Sequence, residues 1–246
     1  MVGNERTERT GRRVVVAGGT DGVGEGVVRR HLAAGAQVLV PTRSLQRAEE
    51  FRAVLGEAAT DGLQLVVHDY TTFEGAERLV AEARSRLGGV DEVVASVGGW
   101  WSGRRLWEVD DADWTIAFVG LATTHLALAR AFVPLLPPFG TYTVVVGESA
   151  TVPVPSSGLV SMQQSALLMM RDVLQAELDG GRRVFALVLG PVRTRHVSDE
   201  AGWVTSDQIG EVAVALAATP TFSGRAVGLH DAAAAAEALQ TIASTR

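Results

Sequence analysis

The chain has 246 residues, 47% of them hydrophobic, with a formal net charge of −6 and no cysteine. That length and apolar fraction allow one large α/β core, and no linker-like stretch divides it. The acidic balance, without any basic block, argues against a nucleic-acid partner, and the lack of cysteine excludes disulfides, zinc–thiolate sites and thiol nucleophiles.

No metal site is expected. The stretch 1–11 is polar and charged, lacks the apolar core of a secretory signal, and reads as a disordered lead-in to a single domain over 12–246. The longest apolar runs are broken by Gly, Pro or charge and fall short of a membrane span, so no membrane partner is expected. Together with the missing cysteine this suits a cytoplasmic protein.

Val14-Val15-Val16-Ala17 is a β-branched run without polar alternation, the pattern of a parallel strand covered on both faces. The turn Gly18-Gly19-Thr20-Asp21-Gly22-Val23-Gly24 follows, then a helix carrying Val27, Val28 and Leu32 that stops near Ala34-Gly35. A second apolar run, Gln37 to Val40, ends in Pro41-Thr42-Arg43-Ser44. This is a βαβ unit with a phosphate-binding turn at its first strand–helix junction. Gly18 lets the chain turn sharply, Gly22 lets backbone approach a pyrophosphate, and Gly24 lets the helix sit close to the sheet. Free N–H groups at the helix start attract phosphate.

The spacing Gly18, Gly22, Gly24 resembles the T-G-x-x-x-G-x-G turn of the short-chain dehydrogenases/reductases, with Ala17 in place of the usual Thr. The resemblance implies an α/β fold of Rossmann-like type: a doubly wound, mostly parallel seven-stranded sheet with helices on both faces. It also implies a nicotinamide dinucleotide over Gly18, Thr20, Asp21, Gly22, Val23 and Gly24. Thr42 stands where NAD-dependent members carry Asp, and Arg43 follows it. An arginine there favours the 2′-phosphate, so the expected cofactor is NADP. Asp21 fits this less well, because NADP-dependent members often have a basic residue at its position.

Leu45 to Leu55 reads as an amphipathic helix, Leu63 to Val67 as a third strand and Phe73 to Leu87 as a helix. After the third strand, Asp69 matches the family's adenine-binding Asp, with Tyr70 beside it. Val90 to Val94 is a fourth strand. The family's N-N-A-G turn falls on Ala95-Ser96-Val97-Gly98: Gly98 is kept, both asparagines are lost, and Ser96 and Val97 are left to pass the cofactor with backbone. Trp100 and Trp101, just past a strand's carboxyl end, are candidates to line a pocket for an apolar, ring-containing substrate, and Trp107 lies near them.

A long helix is expected over Trp114 to Leu136, with Leu121 at the family's catalytic Asn position and His125 one turn further on the same face. Thr141 to Val146 is a fifth strand, ending Gly147-Glu148-Ser149, where the family carries its catalytic Ser; Glu148 and Ser149 both remain candidates. The family's Y-x-x-x-K aligns with Val160 and Gln164, at the start of a helix running through Leu178, with Gln163 placed to orient a substrate. Val184 to Leu189 is a sixth strand. Gly190-Pro191-Val192-Arg193-Thr194 resembles the turn that holds the nicotinamide carboxamide, through Gly190, Val192 and Thr194. Arg195 to Trp203, with His196 and Trp203 as pocket candidates, should cover the substrate. Ser206 to Ala217 is a helix, Arg225 to Leu229 a seventh strand, and Ala232 to Ala243 a terminal helix.

The chemistry is less familiar than the cofactor side. All 22 basic residues are arginine, the sole Asn is Asn4, and the tyrosines are Tyr70 and Tyr142. The family delivers a proton from a Tyr whose pKa a Lys lowers, and neither residue is available at its place. Glu148, Ser149, His125 and Gln164 are the remaining candidates for chemistry. The resemblance leaves an atypical oxidoreductase of a small organic substrate, polycyclic and natural-product-like ones included, a non-redox cyclase, isomerase or dehydratase, or a silent subunit. Assembly is expected as a homodimer or homotetramer through helices 121–132 and 162–178.

Overall fold

The computed structural model describes residues 11–179, 181–197 and 201–245. The expectation of a disordered lead-in therefore concerns residues that, Gly11 apart, lie outside the described ones. The apolar runs become strands β1 (Arg13–Ala17), β2 (Gln37–Thr42), β3 (Leu63–Val67), β4 (Glu92–Ala95), β5 (Thr141–Gly147) and β6 (Arg183–Leu189). A small pair, β7 (Val192–Arg193) and β8 (Val204–Thr205), precedes β9 (Ala226–Leu229). The seven other strands form one sheet in the order β3-β2-β1-β4-β5-β6-β9, with every neighbouring pair parallel. The strand order turns around between β1 and β4, which opens a crevice at the carboxyl ends there.

Helices α1 (Gly22–Ala33), α2 (Leu45–Leu55), α3 (Phe73–Leu87), α4 (Asp111–Trp114), α5 (Leu121–Phe132), α6 (Gly158–Glu177), α7 (Ser206–Ala218) and α8 (Ala232–Ala243) cover both faces. Side chains along a strand alternate between faces, so β1 feeds two cores. Val15 packs with Leu79, Leu128, Phe132 and Tyr142 under α3 and α5. Val14 and Val16 pack with Val27, Val28, Val38, Val40 and Phe51 under α1 and α2. A third cluster, Phe185, Leu187, Ile209, Leu216 and Leu229, sits under α7 and α8. Polar caps fix where helices start: the side chains of Ser44, Thr72, Thr205 and Asp231 each accept a first-turn backbone N–H.

The expected helix from Trp114 to Leu136 differs in detail. It begins at Asp111 and passes through a π-helical turn, Thr115–Gly120, before α5. The extra residue per turn brings Trp114 onto Phe118, with ring centroids 4.4 Å apart and planes 8° off parallel. By length and composition the helix Asp111–Leu135 reaches what a membrane span needs, contrary to the expectation that no apolar stretch does. Its α5 portion buries Ala127, Leu128, Ala129 and Phe132 in the main core.

Candidate active site

The glycine turn joins β1 to α1 at the crevice. Gly18 has φ +77°, and a Cβ on it would lie 2.1 Å from the Ser96 carbonyl oxygen, so the turn is pressed against the end of β4. Gly24 stands as close to Gly18, which sets the start of α1 against the turn. Gly22, at φ +53°, has open space where a Cβ would be. That is the opening a phosphate needs to reach the first amides of the helix. Thr20 and Val23 flank it, with Val23 packed between two of the hydrophobic clusters. Asp21 caps α1 through Oδ1, which accepts the Gly22 N–H at 2.8 Å.

At the ribose end, Thr42 is buried and its hydroxyl has no protein partner, while Arg43 is exposed. Arg47, one turn into α2, reaches back to within 3.5 Å of Thr20 Oγ1 and 3.8 Å of Asp21 Oδ2. Asp69 is exposed and accepts from the Thr71 amide and hydroxyl, at 2.9 and 2.7 Å, and these bonds hold its carboxyl below the usual range. Tyr70 is half-buried beside the Gly18 backbone. Burial raises its pKa, against that backbone group and the charges of Arg43 and Arg47.

Past β4, the Ser96 amide donates to the Ala17 carbonyl and Gly98 stands open at φ +151°. His125 is fully buried, with Nε2 2.7 Å from the Val97 carbonyl. A carbonyl can only accept, so Nε2 carries the hydrogen and Nδ1 is left as an unpartnered acceptor. Burial pushes the His125 pKa down to about 4, against the Val97 bond. This histidine is a neutral brace of the loop after β4, which corrects the expectation that it serves as a proton carrier. Leu121, at the Asn position, is half-buried.

At the end of β5 the two candidates part. Ser149 is buried and lies 2.8 Å from Gln164 Oε1, the same oxygen that accepts the Gly147 N–H at 2.7 Å. Glu148 turns the other way, with Oε1 2.7 Å from His230 Nδ1. The Glu148 side chain is 39% exposed, so it is not the deeply buried carboxyl expected of the proton carrier. His230 follows β9 and closes over Gly190, whose Cβ would meet the His230 carbonyl at 2.0 Å. The sequence reading missed His230, although a polar residue just past a strand's carboxyl end is the available signal. Val160 is 2% exposed, and Gln163 is 3% exposed and no part of an open pocket wall.

Val192 lies on β7, and Thr194 pairs with Val197 in a tight antiparallel bridge. The bridge places Arg195 and His196 against Asp21, not over a substrate pocket as expected for His196. Residues 198–200 of the expected covering segment lie outside the described residues. Trp101 and Trp203 are half-buried, whereas Trp100 is 65% and Trp107 78% exposed. The stretch from Trp100 to Trp107 thus presents aromatic surface outward. Among the described residues no cluster fit to hold a metal ion occurs.

The site therefore offers a glycine-rich helix start capped by Asp21, with a half-exposed carboxylate–imidazole couple at the far side and no Tyr–Lys pair. Residues 17–241 match the family model described as enoyl-(acyl carrier protein) reductase. The chain is 32% identical over 184 residues to dehydrogenase/reductase SDR family member 4 of Bos taurus, covering 73% of this chain and 65% of that protein. It is 30% identical over 168 residues to hydroxysteroid 11-beta-dehydrogenase 1-like protein of Xenopus tropicalis, covering 68% of this chain and 58% of that protein. The chain thus spans about three-fifths of the length of these relatives. The structure of ElxO with NADP bound superposes with a TM-score of 0.80 at 15% identity, covering 89% of this chain and 97% of that one. With the fold, the glycine turn and the family match in agreement, the chain belongs to the short-chain dehydrogenase/reductase family.

Proposed function

We propose that the chain binds NADP(H) and acts on a small organic substrate without a Tyr–Lys proton relay. The observation that carries this reading is Gly22, at the start of α1, with no atom within 4 Å of where a Cβ would stand. The exposed Arg43 beyond β2 adds the charge that a 2′-phosphate would meet. A fold neighbour with NADP bound supports the same assignment. Asp21 is the one discordant group, an acid at a phosphate-binding helix start.

When bound, a nicotinamide cofactor supplies or accepts a hydride. The chain's own residues then have distinct tasks. The amides after Gly18 would hold phosphate, and the backbone of Gly190, Val192 and Thr194 would border the nicotinamide end. Gln164 positions Ser149 and the end of β5. The Glu148–His230 couple, or water, would supply the proton that hydride transfer requires. That couple also supports a second reading, a non-redox cyclisation, isomerisation or dehydration in which Glu148 and His230 pass the proton.

The same proposal includes a second copy of the chain. Leu126, Met169 and Val173 are exposed on α5 and α6, beside a groove of about 890 Å³ lined by Phe73, Val133, Leu174 and Leu178. Pairing of these helices would cover that apolar face.

Calorimetric titration with NADPH and with NADH tests the reading. Micromolar binding that prefers NADPH, with the preference lost in Arg43→Asp, is the expected result. Preference for NADH overturns the role of Arg43. Absence of binding by both overturns the dinucleotide reading and moves the search to non-redox chemistry or a partner subunit.

A further inference from the structure

Four basic or N–H groups converge on the Asp21 carboxylate. Oδ1 accepts the Gly22 amide at 2.8 Å, His196 Nε2 lies 3.0 Å from it and Arg195 Nη2 3.4 Å, while Arg47 Nη2 is 3.8 Å from Oδ2. Arg195 is tied a second time, Nε to Glu25 Oε2 at 3.1 Å, and Glu25 is 7% exposed and paired with Arg29. These contacts draw the strap Thr194–Val197, from beyond the end of β6, across the start of α1. A helix N-terminus surrounded by Arg and His is the environment a phosphate oxygen seeks. Here the chain's own carboxylate occupies it.

We infer that Asp21 is an internal substitute for dinucleotide phosphate: it holds the strap shut in the free protein, and a dinucleotide binds by taking over its cations. The inference rests on the dinucleotide reading above. A pyrophosphate brought to Gly22 meets Asp21 as a like charge, so Asp21 must swing out as the phosphate enters. Arg47, Arg195 and His196 then pass from the carboxylate to the phosphate. The strap keeps its anchor, and entry is coupled to its release and re-closure. Asp21 thereby lowers dinucleotide affinity and keeps Arg47, Arg195 and His196 ordered in the free protein.

Asp21→Asn is the test, because asparagine caps a helix as well as aspartate and preserves the Gly22 bond. Two readouts are needed. In the free protein, hydrogen–deuterium exchange over Thr194–Val197 should quicken severalfold in Asp21→Asn. In calorimetry, Asp21→Asn should bind NADPH about tenfold more tightly than the unaltered chain, in the range of ordinary coupling between two binding events. Unchanged exchange overturns the clasp. Faster exchange with NADPH binding equal to or weaker than that of the unaltered chain overturns the hand-over of cations. If neither protein binds NADPH, the dinucleotide reading itself falls and the hand-over with it, while the exchange rates still decide whether Asp21 holds the strap.

Discussion

Gln164 Oε1 stands 2.8 Å from Ser149 Oγ and 2.7 Å from the Gly147 backbone nitrogen. The Gly147 N–H can only donate, so it fixes which end of the carboxamide faces the strand, and the Ser149 hydroxyl must then give its proton to the same oxygen. A lysine ammonium at this position has no acceptor to offer either group. Gln164→Lys is therefore expected to lower stability by about 1–3 kcal/mol, the cost of stranding partly buried donors. Gln164→Glu keeps the acceptors and should lose less. Urea unfolding of the two variants measures this, and a Gln164→Lys protein as stable as the unaltered one would refute the bonding scheme.

The fold was legible because its signals are local. Leu45–Leu55, Phe73–Leu87 and Ala232–Ala243 match their expected helices, and Leu63–Val67 its strand, because a polar cap or a glycine marks the ends of each strong apolar pattern. The π-helical turn Thr115–Gly120 was not legible, since it leaves the helical pattern almost unchanged while shifting the face. The site was half legible. Gly18, Gly22 and Gly24 carry their roles in backbone geometry, which glycine spacing encodes. The partners of Glu148 and Asp21 do not appear in any spacing, because His230 is 82 residues from Glu148 and Arg195 is 174 from Asp21. Nor could the sequence show that His125 would point inward to the Val97 carbonyl.

Gly18 and Gly22 should fail in different ways when replaced by alanine. At Gly18 a methyl group would lie 2.1 Å from the Ser96 oxygen on a positive-φ backbone, so Gly18→Ala should cost about 3 kcal/mol or more of stability. At Gly22 the methyl enters open space and only the backbone strain of about 1–2 kcal/mol applies. That same methyl would stand where phosphate is proposed to approach, so Gly22→Ala should weaken NADPH binding about tenfold or more. Unfolding and titration on both variants separate the two effects, and equal affinity in Gly22→Ala would place the phosphate elsewhere.

Arg183 closes the opposite end of the molecule. It is 4% exposed, and its guanidinium donates to the carbonyls of Leu216 at 2.8 Å, Thr219 at 2.6 Å, Ala217 at 3.2 Å and Phe139 at 2.9 Å. It therefore adds a donor to the last carbonyls of α7, where Leu216 also accepts the Thr219 N–H at 3.4 Å, Thr219 the Phe222 N–H at 3.1 Å and Ala217 the Arg12 guanidinium at 2.6 Å. Burial, and then the charge of Arg12, pull its pKa down to about 10, so it stays charged at neutral pH. Arg183→Met should cost about 1–3 kcal/mol, by stranding the Phe139 carbonyl and removing the charge-assisted bonds to α7, and Arg183→Lys less, since an ammonium can still serve some of these acceptors. Chemical unfolding decides it, and a loss below about 1 kcal/mol in Arg183→Met would show that water replaces the guanidinium.

Two buried histidines give stability opposite pH dependences. His31 Nδ1 lies 2.8 Å from the Val27 carbonyl and must carry a hydrogen, and Nε2 lies 3.1 Å from Glu92 Oε1 in a contact not aligned as a hydrogen bond. Burial opposes charge on His31 most strongly, but the Glu92 carboxylate and the Val27 bond together outweigh it, so its pKa is raised above 6.5. The folded state then binds the extra proton. This contribution is whole below about pH 6.5 and is lost as pH rises through the raised folded value. His125 does the reverse: burial holds it neutral with a pKa of about 4, the unfolded chain takes a proton near 6.5, and stability is lost as pH falls between those values. Glu92→Gln should flatten the alkaline limb, because an amide can donate to a neutral His31. His125→Gln keeps an N–H for the Val97 carbonyl and should remove on the order of 3 kcal/mol of the acid-side loss. Urea unfolding of the three proteins from about pH 4 to about pH 9 reads both limbs. An alkaline limb that survives Glu92→Gln would show that His31 does not carry the shared proton, and an acid limb untouched by His125→Gln would show that the carboxylates alone produce it.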